Sequence, residues 1–199
     1  MRLRGLYAVS PDVPDALARL ERALAGGVAL LQYRSKRRDA AEAREALRLA
    51  RRHAVPLIVN DDVELALEIG ADGAHLGRDD GDLATARRRL GNKILGASCY
   101  DRIELARDAV AAGADYVAFG AFYPTATKDP KTRADPEILE IWSEIAETPC
   151  VAIGGITVDN AELLVRAGAD FLAVSAGVWA HPQGPRAAVA AFNAIFEAA

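Results

Sequence analysis

Thr125, Thr127 and Lys128 stand in a T-A-T-K run just past an apolar stretch, Y-V-A-F-G at 116–120. Two hydroxyls that turn to suit an oxygen, beside one compact ammonium, make a phosphate-binding set. The same run in a solvated loop does nothing, so its meaning depends on what other parts of the chain reach the same place. Several other apolar runs also end in polar groups. Gln32, Arg34 and Lys36 close the run at 29–34, and a two-residue period points all three the same way. An amide, a guanidinium and an ammonium facing an apolar interior are costly unless something polar meets them. The next run ends in Asn60-Asp61-Asp62 and the one after it in His75-Leu76-Gly77-Arg78-Asp79-Asp80. One of Asp61 and Asp62 is enough to cap a following helix, which leaves the other unexplained. Neighbouring strands lie about 4.8 Å apart, so carboxylates at adjacent strand ends can share a hard cation. Mg²⁺ is commonly held by one or two carboxylates, with phosphate and water completing its shell. Ser98, Gly154-Gly155 and Val174-Ser175-Ala176-Gly177 end three further runs, and small residues there let backbone N–H groups approach a phosphate. His75 lies inside an apolar run and reads as a hydrogen-bonded core histidine. The sequence offers neither a nucleophile with its base nor a histidine cluster suited to zinc.

The elements that position these groups alternate with little waste. Apolar runs at 5–10, 29–34, 56–60, 73–77, 94–99, 116–120, 150–155 and 171–177 read as strands. Between and after them come helical patterns: one carried by Leu17, Leu20 and Leu24 and stopped at Gly26-Gly27, then 39–53, 63–69, 83–90, 103–112, 136–146, 158–167 and 186–198. The strands are apolar nearly throughout, as parallel strands are when a filled interior lies on one side and helices on the other. Eight such units in 199 residues, with no linker, predict one (β/α)₈ barrel domain over 1–199. An open doubly wound sheet would need a glycine-rich turn after the first strand, and Y-A-V-S-P-D is not one. The phrase Ala-Gly-Ala-Asp at 112–115 and 167–170, with Ile-Gly-Ala-Asp at 69–72, follows a helix and precedes a strand each time. Those aspartates belong to the amino ends of the strands and read as structural.

Composition narrows the function classes. With 24 Lys and Arg against 28 Asp and Glu, the net charge of −4 gives no general attraction for nucleic acid or an acidic membrane. Anion binding must then be local, and small-molecule ligands are the expected partners. The two cysteines, Cys99 and Cys150, each lie in a strand-like run, which argues against a disulfide framework and for a reducing cytoplasm. No stretch has the length and apolarity of a membrane span or a secretory signal.

The motifs, taken together, resemble one family. Q-Y-R-S-K at 32–36, L-I-V-N-D at 57–61, G-A-H-L-G-R-D-D at 73–80, G-A-S at 96–98, T-A-T-K at 125–128 and A-I-G-G-I at 152–156 follow the order found in thiamine phosphate synthases. The last of these is shared by many phosphate-binding barrels; the set as a whole is specific. The resemblance implies a (β/α)₈ enzyme that joins hydroxymethylpyrimidine diphosphate to thiazole phosphate, forming thiamine phosphate and releasing diphosphate. It implies that Gln32, Arg34, Lys36, Asn60, Ser98 and Lys128 hold the pyrimidine diphosphate and that Asp61 and Asp80 bind Mg²⁺. It assigns Thr125, Thr127, Gly155, Val174 and Ser175 to the thiazole phosphate. Arg34, Lys36 and Lys128 would take up charge on the leaving diphosphate as its C–O bond breaks. Two departures stand out: Arg78 occupies a position where the family carries glutamine, and the interval from Gly155 to Ser175 is one residue short. The charged segment Lys128-Asp129-Pro130-Lys131-Thr132-Arg133 is a candidate lid.

Three other readings stay open at this point. A thiazole tautomerase of the same superfamily would keep the thiazole-phosphate pocket without the full diphosphate set. A sugar-phosphate isomerase would not need paired acids beside that set. A regulatory barrel would bind a phosphorylated ligand without turning it over.

Overall fold

The computed structural model describes residues 4–125 and 132–199. Its strands are β1 (Gly5–Val9), β2 (Leu30–Tyr33), β3 (Leu57–Asn60), β4 (Gly73–Leu76), β5 (Ile94–Tyr100), β6 (Tyr116–Gly120), β7 (Cys150–Ile153) and β8 (Phe171–Val174). They pair in parallel, in chain order, and β8 closes onto β1 through Gly5↔Phe171 to Ala8↔Val174. The helices are α1 (Ala16–Leu24), α2 (Ala40–Arg52), α3 (Val63–Ile69), α4 (Leu83–Leu90), α5 (Ile103–Ala111), α6 (Glu137–Ile145), α7 (Val158–Arg166), α8 (Ala176–Trp179) and α9 (Pro185–Ala198). The expected (β/α)₈ barrel is therefore the observed fold, with one element more than the alternation foretold.

That element corrects the expected eighth strand. Residues 171–177 read as a continuous strand, yet β8 stops at Val174, the last residue paired with β1, and α8 begins at Ala176. Ser175 has ψ −86 and so leaves the extended conformation. The small residues of this stretch pack and turn equally well either way, which is why apolar periodicity misjudged it. The seventh strand is also shorter than expected, ending at Ile153, because Gly154 and Gly155 have φ of +103 and +66.

Two packed layers follow from the alternation along each strand. In β1, Tyr7 and Val9 point into the barrel with Leu30, Ile58, Tyr116, Ala118, Val151, Phe171 and Ala173. Leu6 and Ala8 point outward against the helices, in the larger cluster that contains Ala46, Leu47 and Ala50 of α2 and Val189 and Phe192 of α9. The burial of Ala43, Ala46, Leu47 and Ala50 follows the 3–4 residue spacing of one helical face.

The repeated aspartates do one structural task. Asp72, Asp115 and Asp170 each precede an even-numbered strand and accept a backbone N–H at the start of the strand before it. The donors are Leu57 at 2.8 Å, Leu95 at 2.7 Å and Cys150 at 2.9 Å. The carbonyl of each donor residue takes back the aspartate's own N–H at 3.0, 2.7 and 3.0 Å. These reciprocal pairs lie at the amino end of the barrel, opposite the polar strand ends.

Candidate active site

The carboxyl ends of the strands open into a cavity of about 400 Å³. Val9, Ala118, Ile153, Ile156 and Ala173 form its apolar floor and side, suited to a flat heteroaromatic ring. Gln32, Arg34, Asn60, Asp61, Arg78, Asp79, Asp80, Ser98 and Thr125 bring amide, cationic, acidic and hydroxyl groups to the same space.

Local backbone features aim these groups. Asp61, just past β3, has φ +62, a conformation more open to Asp and Asn than to most side chains, and its N–H bonds to the His75 carbonyl at 2.8 Å. The turn separates two adjacent acids by role. Asp62 caps α3 through Leu65 N–H at 2.7 Å and pairs with Arg38 at 2.6 Å, whereas Asp61 lines the cavity. Asp80 is anchored by the Gly77 N–H, which it accepts at 2.8 Å. Ser10, buried beside Arg34, accepts the Arg34 N–H at 2.8 Å and donates to the Arg34 carbonyl at 3.1 Å, pinning that residue to β1. In β5 the pairing with β6 slips between Ser98 and Tyr100, a bulge of the sort that re-aims side chains near functional sites. Ser98 and Tyr100, two residues apart on the same face, both line the cavity, while Cys99 between them is buried. Burial pushes the Cys99 thiol up to about 12.

On the opposite wall Gly154 and Gly155 lie against the 121–124 loop. A Cβ on Gly155 would clash with the Pro124 and Tyr123 carbonyls, so this position admits only glycine. Asn160 donates to the Gly155 carbonyl at 3.1 Å and accepts from the Thr157 N–H at 2.8 Å, fixing the turn into α7. Val174, Ser175 and Gly177 line the cavity beside it.

Of the residues singled out from sequence, Gln32, Arg34, Asn60, Asp61, Asp80, Ser98, Thr125, Gly155, Val174 and Ser175 are brought together in this one cavity. The short interval between Gly155 and Ser175 does not separate them. Lys36 is exposed and is not part of the cavity wall, because β2 ends at Tyr33 and the inward alternation does not extend three residues further. Thr127, Lys128 and most of the candidate lid lie outside the described residues. Sequence reasoning missed Ser10, Tyr7 and Tyr116. The only signal for Tyr7 and Tyr116 was a polar tip on an inward position of an otherwise apolar strand, and for Ser10 a small polar residue just past the end of β1.

Among the described residues no three His, Cys, Asp or Glu side chains gather into a ready metal cage. Mg²⁺ needs no such cage where a phosphorylated ligand supplies the remaining oxygens. Asp61 and Asp80, hard oxygen donors lining one cavity with Arg34 opposite in charge, fit that kind of ion.

A closed parallel barrel with a polar cavity at the carboxyl ends of its strands defines a (β/α)₈ enzyme. A profile of the thiamine monophosphate synthase family matches residues 6–178, and the chain belongs to that family. It is 52% identical to a thiamine-phosphate synthase of Aromatoleum aromaticum, covering 99% of this chain and 98% of that one. The corresponding protein of Rhodospirillum centenum is 53% identical, with 96% of each chain covered. The solved thiamine phosphate pyrophosphorylase of Pyrococcus furiosus superposes with a TM-score of 0.88 at 30% identity, covering 99% and 97% of the two chains. A 3-hexulose-6-phosphate synthase shares the fold alone, at 20% identity and a TM-score of 0.71.

Proposed function

We propose that this chain is a Mg²⁺-dependent thiamine phosphate synthase, formed by residues 1–199 as one catalytic domain. Its substrates are hydroxymethylpyrimidine diphosphate and thiazole phosphate. The observation that carries the reading is one cavity lined by Arg34, Asn60, Asp61, Asp80 and Ser98 on one side and Thr125, Gly155, Val174 and Ser175 on the other. A tautomerase would need the second group without the paired acids of the first. Two buried cysteines that form no disulfide support a cytoplasmic setting.

On this reading Gln32, Asn60 and Ser98 hold the pyrimidine ring. Arg34 meets the diphosphate, and Lys36 and Lys128 reach it from the loops beyond β2 and β6. Asp61 and Asp80 would hold Mg²⁺, which when bound supplies counter-charge to the diphosphate. Thr125, Thr127, the Gly155 backbone, Val174 and Ser175 cradle the thiazole phosphate. The bond between the pyrimidine methylene carbon and the diphosphate oxygen breaks, and diphosphate leaves with the electron pair. The aminopyrimidine spreads the resulting cation over its ring, and the thiazole nitrogen donates its lone pair to the methylene carbon. Arg34, Lys36 and Lys128 lower the barrier by meeting charge that grows only as the bond breaks. The apolar wall of Val9, Ile153 and Ala173 keeps water from capturing the cation.

The test is to mix both substrates with the enzyme in Mg²⁺ and again after chelation, following diphosphate release. Thiamine phosphate should form only with both substrates and the metal. An Asp61→Ala, Asp80→Ala double variant that keeps full Mg²⁺-dependent turnover would overturn the metal assignment.

A further inference from the structure

We propose that Tyr7, Tyr116 and His75 are positioning residues, a hydrogen-bonded chain through the barrel interior that sets the donor and acceptor directions of Gln32 and Ser98 toward the aminopyrimidine ring. The inference rests on the assignment of Gln32 and Ser98 to that ring.

The links are continuous. Gln32 Nε2 donates to Tyr7 Oη at 3.0 Å, and the Tyr7 and Tyr116 hydroxyls are 2.8 Å apart. Tyr116 Oη lies 3.0 Å from His75 Nδ1, and His75 Nε2 lies 2.9 Å from Ser98 Oγ. Gln32, Tyr7, Tyr116 and His75 are all buried, and the two ends of the chain, Gln32 and Ser98, line the cavity. A gap in β5 makes the link between β4 and β6 possible. Gly96 lies in register between His75 and Tyr116, and a Cβ there would overlap the Tyr116 ring and come within 2.6 Å of His75 Nδ1. The two rings stack over that gap, 5.5 Å apart and 20° from parallel.

The amide gives the chain a direction. An amide nitrogen has only hydrogens to offer, so Tyr7 Oη accepts from Gln32. The Tyr7 hydrogen then goes to Tyr116 and the Tyr116 hydrogen to His75 Nδ1. His75 keeps its own proton on Nε2 and donates it to Ser98. Burial holds both phenols above their ordinary ionisation range, so each keeps the hydrogen this order requires. The ends therefore differ: Gln32, with its nitrogen turned to Tyr7, keeps its carbonyl oxygen as acceptor beside one remaining N–H, and Ser98 keeps its hydroxyl hydrogen as donor. An aminopyrimidine edge offers an amino donor beside a ring-nitrogen acceptor, the complementary pair. A pyrimidinone offers the reverse, which the Gln32 carbonyl oxygen and the Ser98 hydroxyl hydrogen do not match. A chain running the other way needs the Gln32 amide turned over and His75 protonated on Nδ1.

That difference is measurable. The chain has three histidines, so ¹⁵N-histidine labelling with His53→Gln and His181→Gln variants identifies the His75 resonances. The expected result in the free parent is a neutral ring protonated on Nε2, and Tyr116→Phe should mix the tautomers. A ring protonated on Nδ1, or on both nitrogens, overturns the chain even if neither tyrosine variant folds. In kinetics, Tyr7→Phe should raise KM for the pyrimidine diphosphate roughly fivefold, the size of one neutral hydrogen bond, and leave KM for thiazole phosphate unchanged. Equal changes in both constants, or none, overturn the positioning role. No product from the parent overturns the ring assignment instead, an outcome the tautomer measurement keeps separate.

Discussion

Asp170 and Cys150 hold one another at the amino end of the barrel: the Asp170 carboxylate accepts the Cys150 N–H at 2.9 Å, and the Cys150 carbonyl accepts the Asp170 N–H at 3.0 Å. Asp170 is 5% exposed, so removing its side chain strands a backbone donor away from water. Asp170→Ala should lower unfolding stability by about 1–3 kcal/mol, the range for an unsatisfied buried donor. Turnover per folded molecule should not change, because the substrate cavity is at the other end of the strands. Urea titration beside active-site-normalised rates checks both halves. A drop in turnover at unchanged stability would show that this end of the barrel is coupled to the chemistry.

The strands that build both ends were legible in the sequence because each is a short apolar run closed by a polar or glycine stop. That Gln32, Asn60 and Asp61 line the cavity was legible for the same reason: they interrupt the run just where it reaches the rim. The exposed position of Lys36 outside the cavity wall was not legible, because the alternation that pointed it inward holds only while the strand lasts, and β2 ends at Tyr33. Tyr7 and Tyr116 look like ordinary aromatic strand residues. They meet across 109 positions only because the barrel closes, and no local pattern encodes that meeting. The division of labour between Asp61 and Asp62 was equally hidden, since it turns on one backbone angle.

Cys99 gives a pH prediction. Its thiol is held up to about 12 by burial, from an ordinary 9.0, so the folded protein resists losing that proton while the unfolded chain gives it up. The stabilising difference is complete below pH 9 and is lost as pH rises from 9 toward 12. Tyr33, raised to about 12 from an ordinary 10.0 with burial the main cause, adds to the loss only above pH 10. Between pH 9 and 10 the fall in stability should therefore be shallower in Cys99→Ala than in the parent. Denaturant titrations at pH 8, 9 and 10 test this, and parallel curves would refute it.

Thr125 lines the cavity on the side of Gly155 and Ser175. Replacing it, and Thr127, with Val keeps the shape and removes hydroxyl donors. The variants should raise KM for thiazole phosphate by roughly tenfold to a hundredfold per hydroxyl, as expected for a lost hydrogen bond to a charged group. KM for the pyrimidine diphosphate should stay near the parent value. Steady-state kinetics with each substrate varied in turn separates the two constants, and the opposite pattern would mean that the two halves of the site are reversed.

Lys128 follows the second threonine, and its proposed task is to meet charge on the diphosphate oxygen as the bond to carbon breaks. A group used that way matters more in the transition state than in the bound substrate. Lys128→Ala should therefore lower kcat by roughly 10²-fold, the low end for losing a preorganised charge stabiliser, with little change in either KM. Lys128→Arg should restore only part of the rate, since a planar fork does not replace a point charge. Single-turnover mixing isolates bond breaking from product release and is the measurement that decides. A single-turnover rate for Lys128→Ala within about twofold of the parent, against the roughly 10²-fold expected, would remove Lys128 from the reaction.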